Sequence, residues 1–448
     1  MIKKSTLIVL LCAVVLGGVG YYVNQKHNAK EKTPASTDKP AFHILAGDIQ
    51  AITLSRPAQP DTPPIQFEKE KGEWEIVKPV ETGADQESVG GITSGLAAAL
   101  ISGTEPGTPD RLKAFGLDPA AISIEFELKG GTKHTLLLGD KDFTGDSVYA
   151  LADAGKTVDL LPQSLLVSSD KRLEDLRDRS VLRVQSGDIA DFTLKNHSGE
   201  IALTKNSSGW TVTKPANTPA DADTVNELLA GLTTAKMQSV VSEKPEDLGK
   251  YGLAAPAVAL TTLDSKGNKQ TLIIGKKDGD TYFARDVSRP MIFRINEDLY
   301  TKLNENFQDL RDKTVLHFTA DQISRVEVHN SNGAIVIYRK EPGKQDWVFA
   351  QPASEKGKAA ASWKIFSPIE DARAEDVLDH ASGAVASLLA KPAIDVTLID
   401  KDGKKTTLDV SKPDGGFVYA RTNTSPEIFK LKKDFYDDLN FTPGQAQF

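Results

Sequence analysis

Short stretches of alternating apolar and polar residues precede a helical pattern in the middle of the chain. Residues 191–193, 200–205 and 209–213 alternate in this way, which predicts three strands of an antiparallel meander. Pro215 is predicted to stop the third strand, because proline has no N–H to donate to a neighbour. Residues 221–232 then carry apolar side chains at helical spacing behind an acidic start, which predicts a helix.

A second group of strands and a closing helix complete this unit. Strands are predicted at residues 258–263, 270–274, 281–285 and 291–295. An amphipathic helix is predicted at residues 297–310. Strands grouped before and between helices indicate an α+β fold rather than a parallel βαβ sheet.

The unit is repeated along the chain. Trp74, Trp210 and Trp347 are 136 and 137 positions apart, and several short blocks return around them in the same order. The clearest pairs are GDIQAITL with GDIADFTL, GEWEIVKP with SGWTVTKP, RLKAFGLDPA with DLGKYGLAAPA, HTLLLGDKD with QTLIIGKKD, and LRDRSVL with LRDKTVL. Three tandem diverged copies are therefore predicted, at residues 42–182, 183–316 and 317–448.

The third copy is the most diverged. It lacks the F/Y-G-L block and the Leu-Arg-Asp ending, but it keeps the opening strand, the tryptophan hairpin and a final short helix. The one tryptophan in each hairpin is interpreted as a core anchor of its meander.

The N-terminus has the order of an exported membrane anchor. Residues 1–4 form a basic tail that is predicted to be cytoplasmic, and residues 5–23 are uncharged and nearly as long as the ~20 residues that cross a bilayer. These 19 residues are predicted to be a transmembrane helix, followed by a flexible linker at residues 24–41. A cleaved signal peptide, with Gly18-Val19-Gly20 as its weak site, is the alternative.

Composition narrows the classes of function. The net charge of −8 disfavours nucleic acid as a partner. The single cysteine, Cys12, lies in the apolar N-terminal run, so the remainder has no disulfide, thiol nucleophile or thiolate metal site.

No catalytic or cofactor motif stands out. The chain has no G-x-S-x-G elbow and no phosphate-binding glycine loop, and its seven histidines form no H-x-x-x-H pair. The acidic loop at residues 140–146 resembles a calcium loop, but Leu151 occupies the place where an EF-hand needs glutamate, so a hairpin turn is predicted instead. Arg177 and Arg311 are interpreted as structural residues at helix ends. We therefore predict no catalytic, cofactor-binding or metal-binding residues, no cofactor and no enzyme activity.

Together these blocks, behind a basic and apolar N-terminus, resemble the bacterial membrane-anchored proteins of domain-of-unknown-function family 4340. The resemblance covers most of residues 42–316 and weakens beyond them. Members of that family are often found beside ABC-transporter components, which implies an accessory role at the outer face of a transporter. The family offers no catalytic residues to carry over.

Three functional hypotheses follow. The first is a non-enzymatic accessory or scaffold protein of the bacterial inner membrane, single-pass through residues 5–23, with its bulk in the periplasm and an ABC-transporter permease as its expected partner. The second is an envelope protein that binds a glycan or lipid. The third is a hydrolase that uses carboxylates dispersed in the sequence.

Overall fold

Antiparallel sheets with a few helices make up the part of the chain that the structure describes. This computed structural model describes residues 39–341 and 346–448. The predicted cytoplasmic tail, transmembrane helix and most of the predicted linker lie outside these residues. Within them, no helix is long and apolar enough to cross a membrane. The α+β class predicted from the hydrophobic pattern is confirmed.

The first copy contains a nine-stranded sheet. Its strands and helices are β1 (Lys39–Pro40), β2 (Ile49–Ser55), β3 (Ile65–Glu70), β4 (Glu73–Lys78), β5 (Thr82–Gly83), α1 (Gln86–Ala98), β6 (Leu100–Ile101), β7 (Gly103–Pro106), α2 (Pro109–Ala114), β8 (Ile122–Leu128), β9 (Lys133–Lys141), β10 (Ser147–Ala152), β11 (Thr157–Pro162), α3 (Gln163–Ser169) and α4 (Leu173–Leu176). The strand order is β5-β4-β3-β2-β8-β9-β10-β11-β7, while β1 and β6 pair separately.

The second copy has another nine-stranded sheet. Its elements are β12 (Ile189–Asn196), β13 (Gly199–Asn206), β14 (Gly209–Lys214), β15 (Thr218–Pro219), α5 (Ala222–Thr234), β16 (Ser239–Ser242), β17 (Val258–Asp264), β18 (Lys269–Asp278), β19 (Thr281–Asp286), β20 (Ile292–Asn296), α6 (Glu297–Lys302) and α7 (Phe307–Leu310). The order β15-β14-β13-β12-β17-β18-β19-β20-β16 reproduces that of the first sheet.

An eight-stranded sheet follows in the third copy. Its elements are β21 (Ile323–Asn330), β22 (Gly333–Arg339), β23 (Trp347–Gln351), α8 (Trp363–Glu370), β24 (Asp376–Leu378), α9 (Gly383–Leu389), β25 (Ile394–Asp400), β26 (Lys405–Val410), β27 (Phe417–Thr422), β28 (Ile428–Lys432) and α10 (Asp434–Leu439). The order β23-β22-β21-β25-β26-β27-β28-β24 follows the same plan. Five short 3-10 turns accompany the three copies, at Ala46–Asp48, Ser186–Asp188, Gly249–Tyr251, Ala320–Gln322 and Pro443–Ala446.

Two compact units divide the chain between Arg179 and Ser180. The first contains the first sheet, and the second contains the other two. Each sheet has its own apolar core, to which alternate residues of its strands contribute. The three hairpin tryptophans are 2% to 6% exposed, so their interpretation as core anchors is confirmed.

One predicted helix is broken in two. Residues 297–310 were expected to form a continuous helix, but α6 ends at Lys302 and α7 begins at Phe307. The Asn306 side chain accepts the backbone N–H of Asp309 at 3.2 Å, which starts a new helix. The intervening Glu305 carbonyl accepts a hydrogen bond from the Asn196 side chain at 2.6 Å. Capping residues and a distant amide therefore interrupt an apolar pattern that by itself favours one helix.

The end of the predicted linker belongs to the first copy. Lys39 and Pro40 pair with β6, and the Ala41 N–H donates to the Ala99 carbonyl at 2.8 Å. The segments around Ser180 and Thr314 pair in the same manner, with Lys236 and Arg373 respectively. A short paired segment thus precedes the main strands of each copy. These segments are too short to show an alternation of apolar and polar residues in the sequence.

The repeated glycine motifs contact each other. A side chain at Gly275, in the T-L-x-x-G block, would clash with the carbonyl oxygen of Tyr251, the first residue of the F/Y-G-L block. Gly139 and Phe115 stand in the same relation in the first copy. The third copy has lost both motifs together: α9 replaces the F/Y-G-L loop, and Ser411 occupies the place of Gly275.

Candidate functional site

A fully buried arginine joins the second copy to the third. Arg311 follows α7, and its side chain has no exposed surface. Its guanidinium donates to the Val377 carbonyl at 3.2 Å, to the Asp379 carboxylate at 3.0 Å, and to the Glu427 carboxylate. All three acceptors belong to the third copy, so Arg311 holds the two sheets of the second unit together.

The surroundings of Arg311 complete this junction. The Thr218 hydroxyl donates to the same Glu427 oxygen at 2.9 Å, and the Phe307 ring lies 5.0 Å from the guanidinium carbon. The sequence interpretation of Arg311 as a structural residue agrees with these contacts. Its partners are two carboxylates and the Val377 carbonyl of the next copy, however, rather than the carbonyl end of a helix.

The backbone around Arg311 closes its own sheet, and the third copy has a counterpart that the sequence does not reveal. The Asp312 N–H donates to the Pro219 carbonyl at 2.9 Å, and the Phe448 N–H makes the matching contact with the Ala359 carbonyl at 3.5 Å. The third copy lacks the Leu-Arg-Asp sequence, but its residues 446–448 occupy the same structural position. Gln447 stands where Arg311 stands, and its amide donates to Glu355 within the same copy.

An open groove lies beside α8 in the third copy. Its cavity has a volume of about 530 Å³. Trp363 lies at its edge with 55% of its surface exposed, whereas the three hairpin tryptophans are buried. The sequence interpretation overlooked Trp363. The sequence does contain a signal for it, because the third copy has a second tryptophan at the position that Asp223 occupies in the second copy.

Two pairs of carboxyl groups lie elsewhere in the second unit. Burial raises the pKa of Glu305 to about 7, with the hydrogen bond and charge of Asp309 adding to the effect and Lys313 opposing it. Asp395 and Asp409 face each other on β25 and β26. Burial, and then the charge of Asp409, raises the pKa of Asp395. None of these four residues lines the groove beside α8.

The acidic loops flagged by the sequence are turns. Asp142 accepts the Thr144 hydroxyl at 2.7 Å and the N–H groups of Gly145 and Ser147 at 3.0 Å, and these hydrogen bonds lower its pKa. Asp264 caps the β17–β18 turn in a related way, through Asn268. Across residues 39–341 and 346–448, no three His, Cys, Asp or Glu side chains are grouped so that they could hold a metal ion.

Taken together, the fold defines a class of repeat protein in which antiparallel α+β units follow one another, with the second and third units joined through the buried Arg311. The chain belongs to the family described as Domain of unknown function (DUF4340), whose model matches residues 74–211 and 210–388. The resemblance noted in the sequence blocks is thereby confirmed. No curated protein matches the chain.

Proposed function

We propose that this protein is a non-enzymatic, membrane-anchored accessory protein that presents its repeated domains outside the cytoplasmic membrane to a partner in the bacterial envelope. An ABC-transporter permease is the expected partner class. Support for the anchor comes from the uncharged run at residues 5–23 behind a basic tail.

The Arg311 junction is the observation that carries this proposal. A scaffold must hold its binding surfaces in fixed relation, and a buried guanidinium with three acceptors in the next copy restricts the second and third sheets to one arrangement. Repetition also multiplies the surface available to a partner.

The test is crosslinking in cells followed by mass spectrometry of the captured proteins. The full chain is expected to capture a membrane protein, with transporter permease subunits among the products. A control that retains residues 1–41 but lacks residues 42–448 is expected to lose them. If the full chain captures no membrane protein under conditions that trap a known envelope complex, the accessory role is wrong.

The Arg311→Ala variant provides a second control. It keeps the anchor and all three copies but releases the clamp between the second and third. Weaker crosslinking by this variant, at equal abundance, indicates that the partner recognises the joined pair. Crosslinking that persists when only the anchor remains would place the contact in the membrane segment and overturn the role proposed for the repeats.

A further inference from the structure

The helix beside the groove is shorter in the third copy than in the other two. Equivalent backbone hydrogen bonds mark the two ends of the helical segment in the second and third copies. At the start, the N–H groups of Ala220 and Ala360 donate to the carbonyls of Trp210 and Trp347, respectively. At the end, the carbonyls of Ala235 and Ala372 accept N–H groups. The framed segment in the third copy is three residues shorter. α5 accordingly has 13 residues and α8 has 8.

The equivalent helices of the first and second copies each have a glycine near their C-terminal end. A side chain at Gly231 of α5 would come within 3.0 Å of the Lys302 side chain on α6, and Gly95 of α1 has the same relation to Leu165 on α3. In these copies the end of α1 therefore lies against α3, and the end of α5 lies against α6. In the third copy, the groove lies between α8 and residues 431–438, which include α10.

The resulting cavity has the size and lining of a ligand site. Its volume of about 530 Å³ is within the range of roughly 300–1,000 Å³ typical of small-molecule sites. Trp363, Pro368, Leu431 and Phe435 form its apolar surface. Trp363 is 55% exposed while Phe435 is buried, and the Lys364 ammonium lies 4.9 Å from the centre of the Trp363 ring.

The groove is lined by equal numbers of positively and negatively charged side chains. The cations are Lys364, Arg373 and Lys432, and the anions are Asp371, Glu375 and Asp438. Lys432 and Glu375 already pair at 3.2 Å, which reduces the charge that they offer to a ligand. A strongly anionic or cationic ligand therefore gains little, whereas a neutral ligand with many hydroxyl groups finds both donors and acceptors.

A second cavity lies beside Arg373, which lines both this cavity and the groove. It has a volume of about 470 Å³ and shares Arg373 with the first cavity, while Thr314, Thr319 and Glu370 add polar groups to its lining. Two cavities that share Arg373 and combine aromatic with polar side chains suit an elongated ligand of repeated units better than a single small ring.

We propose that this groove, called here the Trp363 groove, binds a neutral oligosaccharide. One pyranose ring would stack on Trp363, because its C–H groups are slightly positive and the indole face is negative. Its hydroxyl groups would bond to Asp371, Glu375 and Arg373, and the chain of sugars would continue into the second cavity. This activity goes beyond the scaffold role and does not depend on it.

The test uses intrinsic fluorescence of the full chain, since Trp363 is the exposed one of the four tryptophans. The chain is kept in a zwitterionic detergent, because an alkyl glycoside would offer a competing sugar. Tetrasaccharides of the chito-, malto- and cello- series serve as probes. Saturable quenching, with protection of Trp363 from acrylamide, is expected for at least one series.

Calorimetry on variants locates the binding. Trp363→Ala is expected to weaken affinity about tenfold or more, while Trp363→Phe keeps most of it. Ser367→Trp, which fills the groove, is expected to abolish binding. Phe143→Ala removes another exposed aromatic side chain, in the first copy, and serves as the matched control that leaves affinity unchanged. Thermal unfolding of each variant confirms that it is folded.

Three results would overturn the proposal. The first is no saturable response to any of the three series. The second is binding that Trp363→Ala and Ser367→Trp leave unchanged. The third is protection of Trp363 by anionic phospholipid vesicles but by no saccharide, which would assign the groove to a membrane surface. Because these measurements use purified protein, their failure is distinguishable from failure of the crosslinking test.

Discussion

Arg311 has no solvent-exposed surface, and it donates hydrogen bonds to three groups of the following copy. Of its two carboxylate partners, Asp379 is half-exposed and Glu427 is largely buried. Removing one member of a buried pair is costly mainly because the other charge remains without compensation. Glu427 is therefore the group through which a change at Arg311 acts.

We expect Arg311→Ala to destabilise the second unit by about 3–5 kcal/mol. Chemical denaturation of the full chain, with hydrogen exchange followed at α7 and β28, measures this effect. Lys432→Ala is the control: both members of its pair with Glu375 are exposed, so a loss below about 1 kcal/mol is expected. Equal losses in the two variants would contradict the proposed importance of burial at Arg311.

The raised pKa of Glu305 predicts that the stability of the folded chain depends on pH. Burial first, and then the neighbouring Asp309, raises the pKa of Glu305 from 4.5 to about 7 in the folded state. The folded chain therefore favours the protonated acid. This preference stabilises the folded state fully at pH values below the pKa that Glu305 has in the unfolded chain. The stabilisation is lost as the pH rises through about 7, the pKa of Glu305 in the folded state.

Replacing Glu305 with glutamine keeps a neutral side chain at every pH. We expect Glu305→Gln to raise the unfolding temperature at about pH 8 and to change it little at about pH 4.5. Glu297→Gln, on the same segment but paired with Lys277 at the surface, should not show this pattern. A shift of equal size at both pH values would mean that Glu305 does not titrate as proposed.

At the scale of elements, the motif glycines are explained by contacts rather than by turns alone. Gly275 lies on β18, a strand, where glycine normally weakens pairing. It is needed because the F/Y-G-L loop passes directly over it. Where α9 replaces that loop, serine is accommodated, and the Ser411 hydroxyl accepts the Tyr419 N–H at 3.0 Å.

Gly275→Ala is expected to destabilise the second unit by about 1–3 kcal/mol, because the added methyl group meets backbone atoms that cannot move freely. Gly231→Ala is the matched control. Gly231 lies within α5, where an added methyl group meets only the flexible end of Lys302 on α6, and alanine favours helix over glycine by about 1 kcal/mol. Denaturation midpoints compare the two, and a larger loss at Gly231 would contradict the contact described for Gly275.

The hydrophobic pattern predicts the long elements and misses the short ones. β12, β13 and β14 lie where alternation predicts them, and Asp221 caps α5 through the Thr224 N–H at 2.8 Å. β15 and β16 escape prediction, because strands of two and four residues are too brief for a periodic signal. The Trp363 groove was not predictable from periodicity, since it lies between α8 and α10, which are distant in sequence.

At the scale of the whole molecule, the described chain contains two compact units, each with apolar cores of its own. Calorimetry of the full chain is expected to show two unfolding transitions, since units with separate cores need not unfold together. Arg311→Ala should lower only the transition that belongs to residues 180–448. A single transition that shifts as a whole would contradict independent unfolding.

The strand order has a consequence for where this family's domain should be cut. The family model matches the chain twice, first at residues 74–211 and then at residues 210–388. The boundary between the two matches therefore lies within β14. A fragment that ends there would keep β12, β13 and only the start of β14, and would lack the other six strands of the second sheet. The recurring sequence is therefore offset from the folded sheet, whose natural limits are the paired entry segments near residues 39, 180 and 314. Expression fragments for this family should follow those limits, so that every tryptophan strand stays with the sheet that it completes.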